Sequence, residues 1–289
     1  MSSIYIYHSA DLDGYCSGAI MRKFDPQGIF IPYDYHQPFP GELIIPGSNI
    51  VMAEVSLPME EMDKLSFLAG PGNFTWIDHH VSAIRDFNDF DFITPFVALL
   101  NPKIAACEAV WQFLFPQELL PKSVELLGAY DTWRQYPLSR WERYVLPFQY
   151  GMRLKCNSLE TFPMEVLEPA AYLNPVIQLG NAILSYQTKQ NQVIMKAAFE
   201  KNVGDLRAIC CNMGLANMNS NSFAPRFNPE EHDLMLAFCM LSNGRYKVSF
   251  YTEKPDIDVS LIAKGFGGGG HRGAAGCTVA NMEDIFNQD

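Results

Sequence analysis

The stretch Phe74-Thr75-Trp76-Ile77-Asp78-His79-His80 constrains this chain more than any other. Its first four residues are aromatic and β-branched, which reads as a buried strand. The run then breaks into one carboxylate and two imidazoles. Open α/β sheets build their sites at the carboxyl ends of strands, so these three polar residues stand where such a sheet does its chemistry. Neutral imidazole suits Mn, Zn or Fe, and a neighbouring carboxylate can orient a ligating ring. The same residues also read as a plain polar turn, because short motifs match by chance. The rest of the chain decides between the two.

Other strand ends repeat the pattern. Ser3 to Tyr7 is a short β-prone run that stops at His8, with Asp11 and Asp13 in the loop behind it. Gly14 permits a sharp turn, and Tyr15 to Phe24 reads as a helix. Asp11 alone would serve as a helix cap, but a cap does not require His, Asp and Asp together, which favours metal binding. Gly28 to Tyr35 and Ser48 to Val55 read as the next strands, the second placing Glu54 near its carboxyl end. A lone Glu there reads as a solvated strand end until the other strand ends are considered with it. A helix follows over SLPMEEMDKL, with Pro58 early, where a missing N–H costs little. His36, in a Pro-rich loop, reads as surface.

Further on, Ile104 to Leu114 has helical periodicity, and Val124 to Trp133 reads as an apolar helix with Asp131 at its far end. A carboxylate at a helix C-terminus opposes the macrodipole. Either a cation compensates, or the helix ends earlier and Asp131 begins a turn. Leu138 to Phe162, rich in aromatics and Arg, reads as helical elements or irregular packing. The polar-faced stretch from Pro175 to Lys201 reads as a long connecting helix.

After Asn202 the character changes. Leu206 to Cys211, Leu234 to Leu241 and Tyr246 to Tyr251 read as strands, with Gly244 at a hairpin turn. Asn212 to Pro229 reads as a loop, either a lid or simple surface. Gly267 to Gly270 then precede His271 and Arg272. Glycine runs cost backbone entropy. The reading favoured here is close approach of backbone N–H groups to an anion at the start of a small-residue helix, with His271 and Arg272 adding charge-assisted hydrogen bonds. The alternative is a linker.

Bulk properties narrow the substrate. With 289 residues the chain suggests two domains or one large one. Its net charge of -11 and the lack of any Lys/Arg-rich run argue against long duplex nucleic acid, which basic surfaces hold by displacing counterions. Phosphates would be handled locally, through metals and a few positioned donors. Seven cysteines without a compact framework read as reduced thiols of a cytoplasmic protein. The first residues do not read as a signal peptide, and no apolar run approaches the roughly 20 residues of a membrane span.

Four motifs in order, His8-x-x-Asp11-x-Asp13-Gly14, Asp78-His79-His80, Asp131 within GAYDTW, and GGGGHRGAAG, resemble the DHH/DHHA1 phosphoesterases, specifically the small two-domain members, over nearly the whole chain. The resemblance implies an α/β protein. Residues 1–175 would form a Rossmann-like, mostly parallel DHH domain, 176–204 a connecting helix, and 205–289 a smaller α/β DHHA1 domain that closes over a cleft. Two divalent ions are implied, Mn²⁺ first, with Mg²⁺ or others as substitutes. His8 and Asp11 would hold one ion, and Asp13, His79 and Asp131 the other. Glu54 would bridge both. His80 would contact substrate phosphate, Asp78 would support the site from behind, and Arg272 would steady charge on the phosphate oxygens. Gly268, Gly269, Gly270 and His271 would hold another part of the substrate.

Three departures stand out. Glu54 occupies a bridging position where the family normally has Asp. His8 and Asp11 are one residue closer than in some members. Tyr251 stands where several relatives carry a substrate-binding Arg. The activity implied is Mn-dependent hydrolysis of short RNA or DNA oligonucleotides, or of small nucleotides, by a metal-activated water, with a homodimer allowed. Two alternatives remain. One is a phosphomonoesterase for pAp-type nucleotides, or a phosphatase for pyrophosphate or polyphosphate. The other is a non-catalytic nucleotide-binding module, suggested by Glu54 and Tyr251.

Overall fold

A computed structural model describes residues 3–35, 37–168 and 171–286, which leaves His36 outside the described residues. The chain divides into two compact units, Met1–Leu184 and Ser185–Asp289.

The first unit is built on five parallel strands: β1 (Ser3–His8), β2 (Ile29–Tyr33), β3 (Asn49–Ala53), β4 (Phe74–Asp78) and β5 (Val97–Leu100). Their spatial order is β2-β1-β3-β4-β5, and every neighbouring pair is parallel. Parallel sheets are covered on both faces, which explains why β1, β3 and β4 read as near-continuous apolar runs. Strand alternation divides them between two cores. Tyr5, Tyr7, Val51, Ala53 and Ile77 join one cluster, while Ile4, Ile6, Ile50, Met52, Phe74 and Trp76 join the other.

Helices α1 (Leu12–Phe24), α4 (Ala106–Leu114) and α5 (Lys122–Asp131) contribute to the first cluster, and α2 (Met59–Ala69) to the second. The short helix α3 (Val81–Asn88) follows β4. Leu138–Arg140 (α6) runs through a π turn, Trp141–Val145, into α7 (Leu146–Lys155). Gly14 is required where α1 meets β1, because a Cβ there would collide with the His8 carbonyl oxygen. That contact brings Asp13 against the end of the first strand.

The long helix α8 is shorter than its sequence suggests. It spans Asn174–Ile194, and Phe199–Val203, expected to continue it, is instead strand β6. The second unit's sheet contains β6, β7 (Leu206–Asn212), β8 (Leu234–Met240), β9 (Tyr246–Tyr251), β10 (Gly269–His271) and β11 (Ala274–Val279), in the order β10-β11-β9-β8-β7-β6. Only β7–β8 is parallel; the other pairs are antiparallel. Residues of α9 (Val259–Gly265) and α10 (Glu283–Phe286) pack on one face. The other face is covered by Met195, Met213 and Phe223, so the segment expected as a lid or surface loop supplies part of a core. Among the described residues, no helix is long and apolar enough to cross a membrane.

Candidate metal centre

In a sheet ordered 2-1-3-4-5, the chain reverses direction of winding between β1 and β3, and ligands of such sheets bind outside the carboxyl ends at that point. His8 ends β1, Glu54 follows β3, and His79-His80 follow β4. Register aligns them: Tyr7 pairs with Ala53, and Ala53 with Ile77. The three strand ends are therefore level, and residues 25 and more apart in sequence converge.

Glu54 is the hub. Three groups of ligand atoms, each within 4.8 Å of one another, all include it: His8, Asp11 and Glu54; Asp13, Glu54, His79 and Asp131; and Glu54, His79 and His80. His79 Nε2 lies 3.1 Å from Asp131 Oδ2, 3.2 Å from Glu54 Oε2 and 3.8 Å from Asp13 Oδ2. His8 Nδ1 lies 3.1 Å from Asp11 Oδ2. Glu54 is buried and adopts a positive φ of 64°, a conformation non-glycine residues rarely take and one that clusters at functional sites. Its Oε2 is buried without a hydrogen-bond partner. A donor set made only of imidazole nitrogens and carboxylate oxygens, with an orphaned buried carboxylate oxygen at its centre, fits Mn²⁺ or a similar divalent cation.

Asp11 plays two parts that the sequence offers as alternatives. One oxygen caps α1 by accepting from Gly14 N–H at 2.9 Å, while the other faces His8. Asp131 is the last residue of α5, so the helix does not end early, and the partner that offsets its unfavourable position is the His79 ring. Asp78 lies behind the two histidines. Its Oδ1 accepts from the backbone N–H of His79 at 2.7 Å and of His80 at 3.1 Å, and lies 2.8 Å from His80 Nδ1.

Two supports are not legible in the motifs. Asp34, just beyond β2, approaches His8 Nε2 at 3.5 Å, opposite Asp11. The start of α4 holds Asp13: Ala106 N–H donates to one carboxylate oxygen at 2.9 Å and Cys107 N–H to the other at 2.8 Å. A carboxylate at a helix N-terminus is well placed for both the free amides and the dipole. One residue on, buried Glu108 accepts from Ala105 N–H at 3.1 Å and from the Arg134 guanidinium at 2.7 Å. Arg134 belongs to the turn after Asp131. The same helix start thus fixes Asp13 directly and tethers the segment that carries Asp131.

Without a cation the cluster is electrostatically tense. Burial pushes the Glu54 carboxyl well above the usual range, and the charges of Asp13, Asp131 and Asp11 push the same way. Asp13 is pushed up to about 6, first by burial and then by Asp131. For His79, burial works against the charged ring, but the hydrogen bond with Asp131 and the charges of Asp13 and Asp131 outweigh it, raising the ring to about 9. For His8, burial likewise opposes charge and is outweighed by Asp11 and Asp34, so its pKa is raised. The imidazolium of His79 supplies the positive charge the carboxylates need, and a metal must displace that proton to bind.

The glycine-rich segment differs from its expected form. Ala274–Val279 is strand β11, not a small-residue helix, and the glycines follow α9 rather than open a helix. Helix-start anion binding therefore has no basis here. The glycines serve close packing. A Cβ at Gly268 would strike the Gly276 carbonyl oxygen, and Gly270 has a φ of 142° with Ala275 Cα at 2.6 Å from any added Cβ. Gly269 pairs with Gly276 and His271 with Ala274, and His271 and Arg272 are exposed. The Tyr251 hydroxyl donates to the Met218 carbonyl at 2.7 Å, so this side chain anchors the segment that covers the sheet.

Sequence comparison finds two curated relatives. The chain is 22% identical to the uncharacterized protein R106 of Acanthamoeba polyphaga mimivirus, over 97% of this chain and 68% of that protein. It is also 22% identical to the oligoribonuclease NrnB of Bacillus subtilis (strain 168), over 80% of this chain and 59% of that protein. Similar solved structures include the pGpG-specific phosphodiesterase PggH of Vibrio cholerae, with a TM-score of 0.56 and 10% identity over 98% of this chain and 95% of that one. An exopolyphosphatase-related protein of Bacteroides fragilis also has a TM-score of 0.56, with 13% identity over 98% of this chain and 88% of that one. No family model matches. A five-stranded parallel sheet and a second mixed sheet define an α/β protein of two sheets, and with its four motifs in order the chain resembles the DHH/DHHA1 phosphoesterases.

Proposed function

We propose that the chain is a Mn²⁺-dependent phosphodiesterase that hydrolyses short oligoribonucleotides or related small nucleotides, acting in the cytoplasm. The observation that carries this reading is Glu54's membership of all three ligand groups, which is what a carboxylate shared between two ions requires. His8, Asp11 and Glu54 would hold one ion, and Asp13, Glu54, His79 and Asp131 the other. When bound, two divalent ions supply an acidified water as nucleophile and positive charge beside the phosphate oxygens.

The chain's own residues set up that chemistry. Asp78 fixes the His80 ring through Nδ1 and leaves Nε2 to meet a phosphate oxygen. The amides at the start of α4 keep both Asp13 oxygens directed, so the carboxylate cannot swing away. Residues 1–175 serve as the catalytic DHH part, 176–204 as the connector, and 205–289 as the substrate-binding DHHA1 part. Gly268, Gly269, Gly270, His271 and Arg272 then hold the substrate away from the scissile bond, through an exposed hairpin. Arg272 adds charge-assisted hydrogen bonds to phosphate. The net charge of -11 favours dimers and short oligomers over long strands. Seven free, buried cysteines suit a reducing compartment.

The test is a Mn²⁺-dependent product screen across pAp, linear dinucleotides, cyclic dinucleotides and pyrophosphate. Mononucleotides released from a linear dinucleotide are the expected result. Phosphate released only from pAp or pyrophosphate would replace this reading with a phosphatase, and binding without turnover would replace it with a nucleotide-binding module.

A further inference from the structure

We propose that the first unit carries a nucleoside-binding subsite, in the half-open cavity beside Asp11 where Tyr15, Gln149, Arg153, Cys156 and Asn157 gather. The inference rests on the phosphodiesterase reading and deepens it: the substrate must present a nucleoside, and not merely a chain of phosphates, on this side of the scissile bond.

The cavity measures about 370 Å³, within the range of small-molecule sites, and Asp11 forms part of its wall. Asp11 is also a member of the ligand cluster, so a molecule in the cavity lies next to the metal centre. Three features of the lining point to a nucleoside. The Arg153 guanidinium lies over the rings of Tyr130 and Tyr150, with its carbon 5.2 and 5.3 Å from their centroids, and donates to the Tyr130 hydroxyl at 3.3 Å. It has no carboxylate partner among the described residues, in a chain of net charge -11. Such a cation, held by aromatic rings, is available to a base carbonyl or a phosphate oxygen.

Gln149 is 6% exposed, and its Oε1 is buried with no hydrogen-bond partner. Leaving a buried carbonyl unpaired is unfavourable, and a ribose hydroxyl or an exocyclic amine of a base would satisfy it after a small side-chain rotation. The Tyr15 hydroxyl donates to the Ser9 carbonyl at 2.7 Å, which holds an aromatic ring in the wall, and aromatic rings stack bases without regard to sequence. A pyrophosphate or polyphosphate site would instead need several cations around the same space. Burial pushes the Cys156 thiol up to about 11, so it lines the wall as a neutral thiol.

The experiment titrates AMP, and separately pyrophosphate, into EDTA-treated full-length protein by calorimetry, comparing wild type with Arg153→Met and Gln149→Leu. Each variant is expected to weaken AMP by at least about tenfold, while Gln149→Leu leaves pyrophosphate unchanged. On a linear dinucleotide with Mn²⁺, both variants raise KM with kcat changed by less than about twofold. Thermal melts establish that the variants fold, and Gln149→Asn replaces Gln149→Leu if the latter does not. If AMP affinity and dinucleotide KM are untouched by both variants while wild type still cleaves the dinucleotide, the subsite is wrong and the phosphodiesterase reading stands. An equal loss of pyrophosphate and AMP in Gln149→Leu also overturns it. A wild-type enzyme that cleaves no nucleotide diester in the product screen defeats the phosphodiesterase reading itself, whatever AMP does.

Discussion

The strand-end cluster of the first unit and the glycine-rich hairpin of the second are built in opposite ways. In the cluster, side chains carry the chemistry and the backbone is fixed by a five-stranded parallel sheet whose central strands β1, β3 and β4 are buried. In the hairpin, side chains are nearly absent, and conformation is set by what a Cβ would strike. A site of the first kind resists drift because every ligand lies at or beside a strand end or in the terminal turn of a helix. One of the second kind depends on a few backbone contacts at a sheet edge. Mutations should therefore separate them: chemistry fails first at the cluster, folding first at the hairpin.

The largest effect is expected from His79→Ala. Outer partners of ligands already cost about 10–100-fold when removed, so loss of the ring itself should lower Mn²⁺-stimulated hydrolysis by more than about 100-fold, with circular dichroism showing a folded protein. Unchanged turnover would remove the cluster from the reaction. Glu54 sharpens the point. Glu54→Ala should abolish two-ion binding in calorimetry, whereas Glu54→Asp should retain or raise activity, because the shorter acid tolerates positive φ better. Indifference to both replacements would show that residue 54 does not bridge.

Next comes the tether behind the cluster. Arg134→Met removes the partner of buried Glu108 and loosens the turn after Asp131. Mn²⁺ affinity of the site that includes Asp13, His79 and Asp131 should fall about 10–100-fold, with little change at the site that includes His8 and Asp11. A uniform loss at both sites would mean general destabilisation. On the hairpin side, Gly270→Val should cost about 1–3 kcal/mol in a denaturant melt while metal stoichiometry stays intact. A variant that kept its stability but lost a metal would invert the contrast between the two regions.

The smallest effect is in pH. Asp13 keeps its proton to about 6 in the folded state but loses it near 3.8 unfolded, so between those values the folded state binds more protons. Metal-free protein should therefore lose stability as pH rises from about 4 to 6, by on the order of 1–3 kcal/mol. His79, raised to about 9, contributes stability that is present below about 6.5 and fades as pH approaches 9. Saturating Mn²⁺ should flatten the Asp13 part of the curve in differential scanning calorimetry, because the cation replaces the proton.

How far the sequence led differs between the regions for a physical reason. Buried strands write themselves as apolar runs, so β1, β3 and β4 and the polar residues that stop them could be read directly. The supports could not. Asp13 is held by amides 93 and 94 residues away, and nothing near it in the chain signals a helix start. Asp34 lies in a strand-like IFIPYDY, where alternation gives it no distinction. The glycine run reads as constrained but not as a strand, because a residue without a side chain writes no period of 2 or 3.6. β6 reads as part of the preceding helix for a related reason: FEKNV has four exposed residues of five and no buried face to betray a strand.

Asp11 has a consequence for anyone comparing relatives of this chain. Its carboxylate starts a helix as well as facing His8, and Asp78 likewise braces two backbone amides. A descendant that abandoned catalysis would still need both acids to fold. Their persistence in a related sequence is weak testimony of a working enzyme, whereas His79 and Asp131, which anchor little beyond the cluster itself, would be the first to vanish.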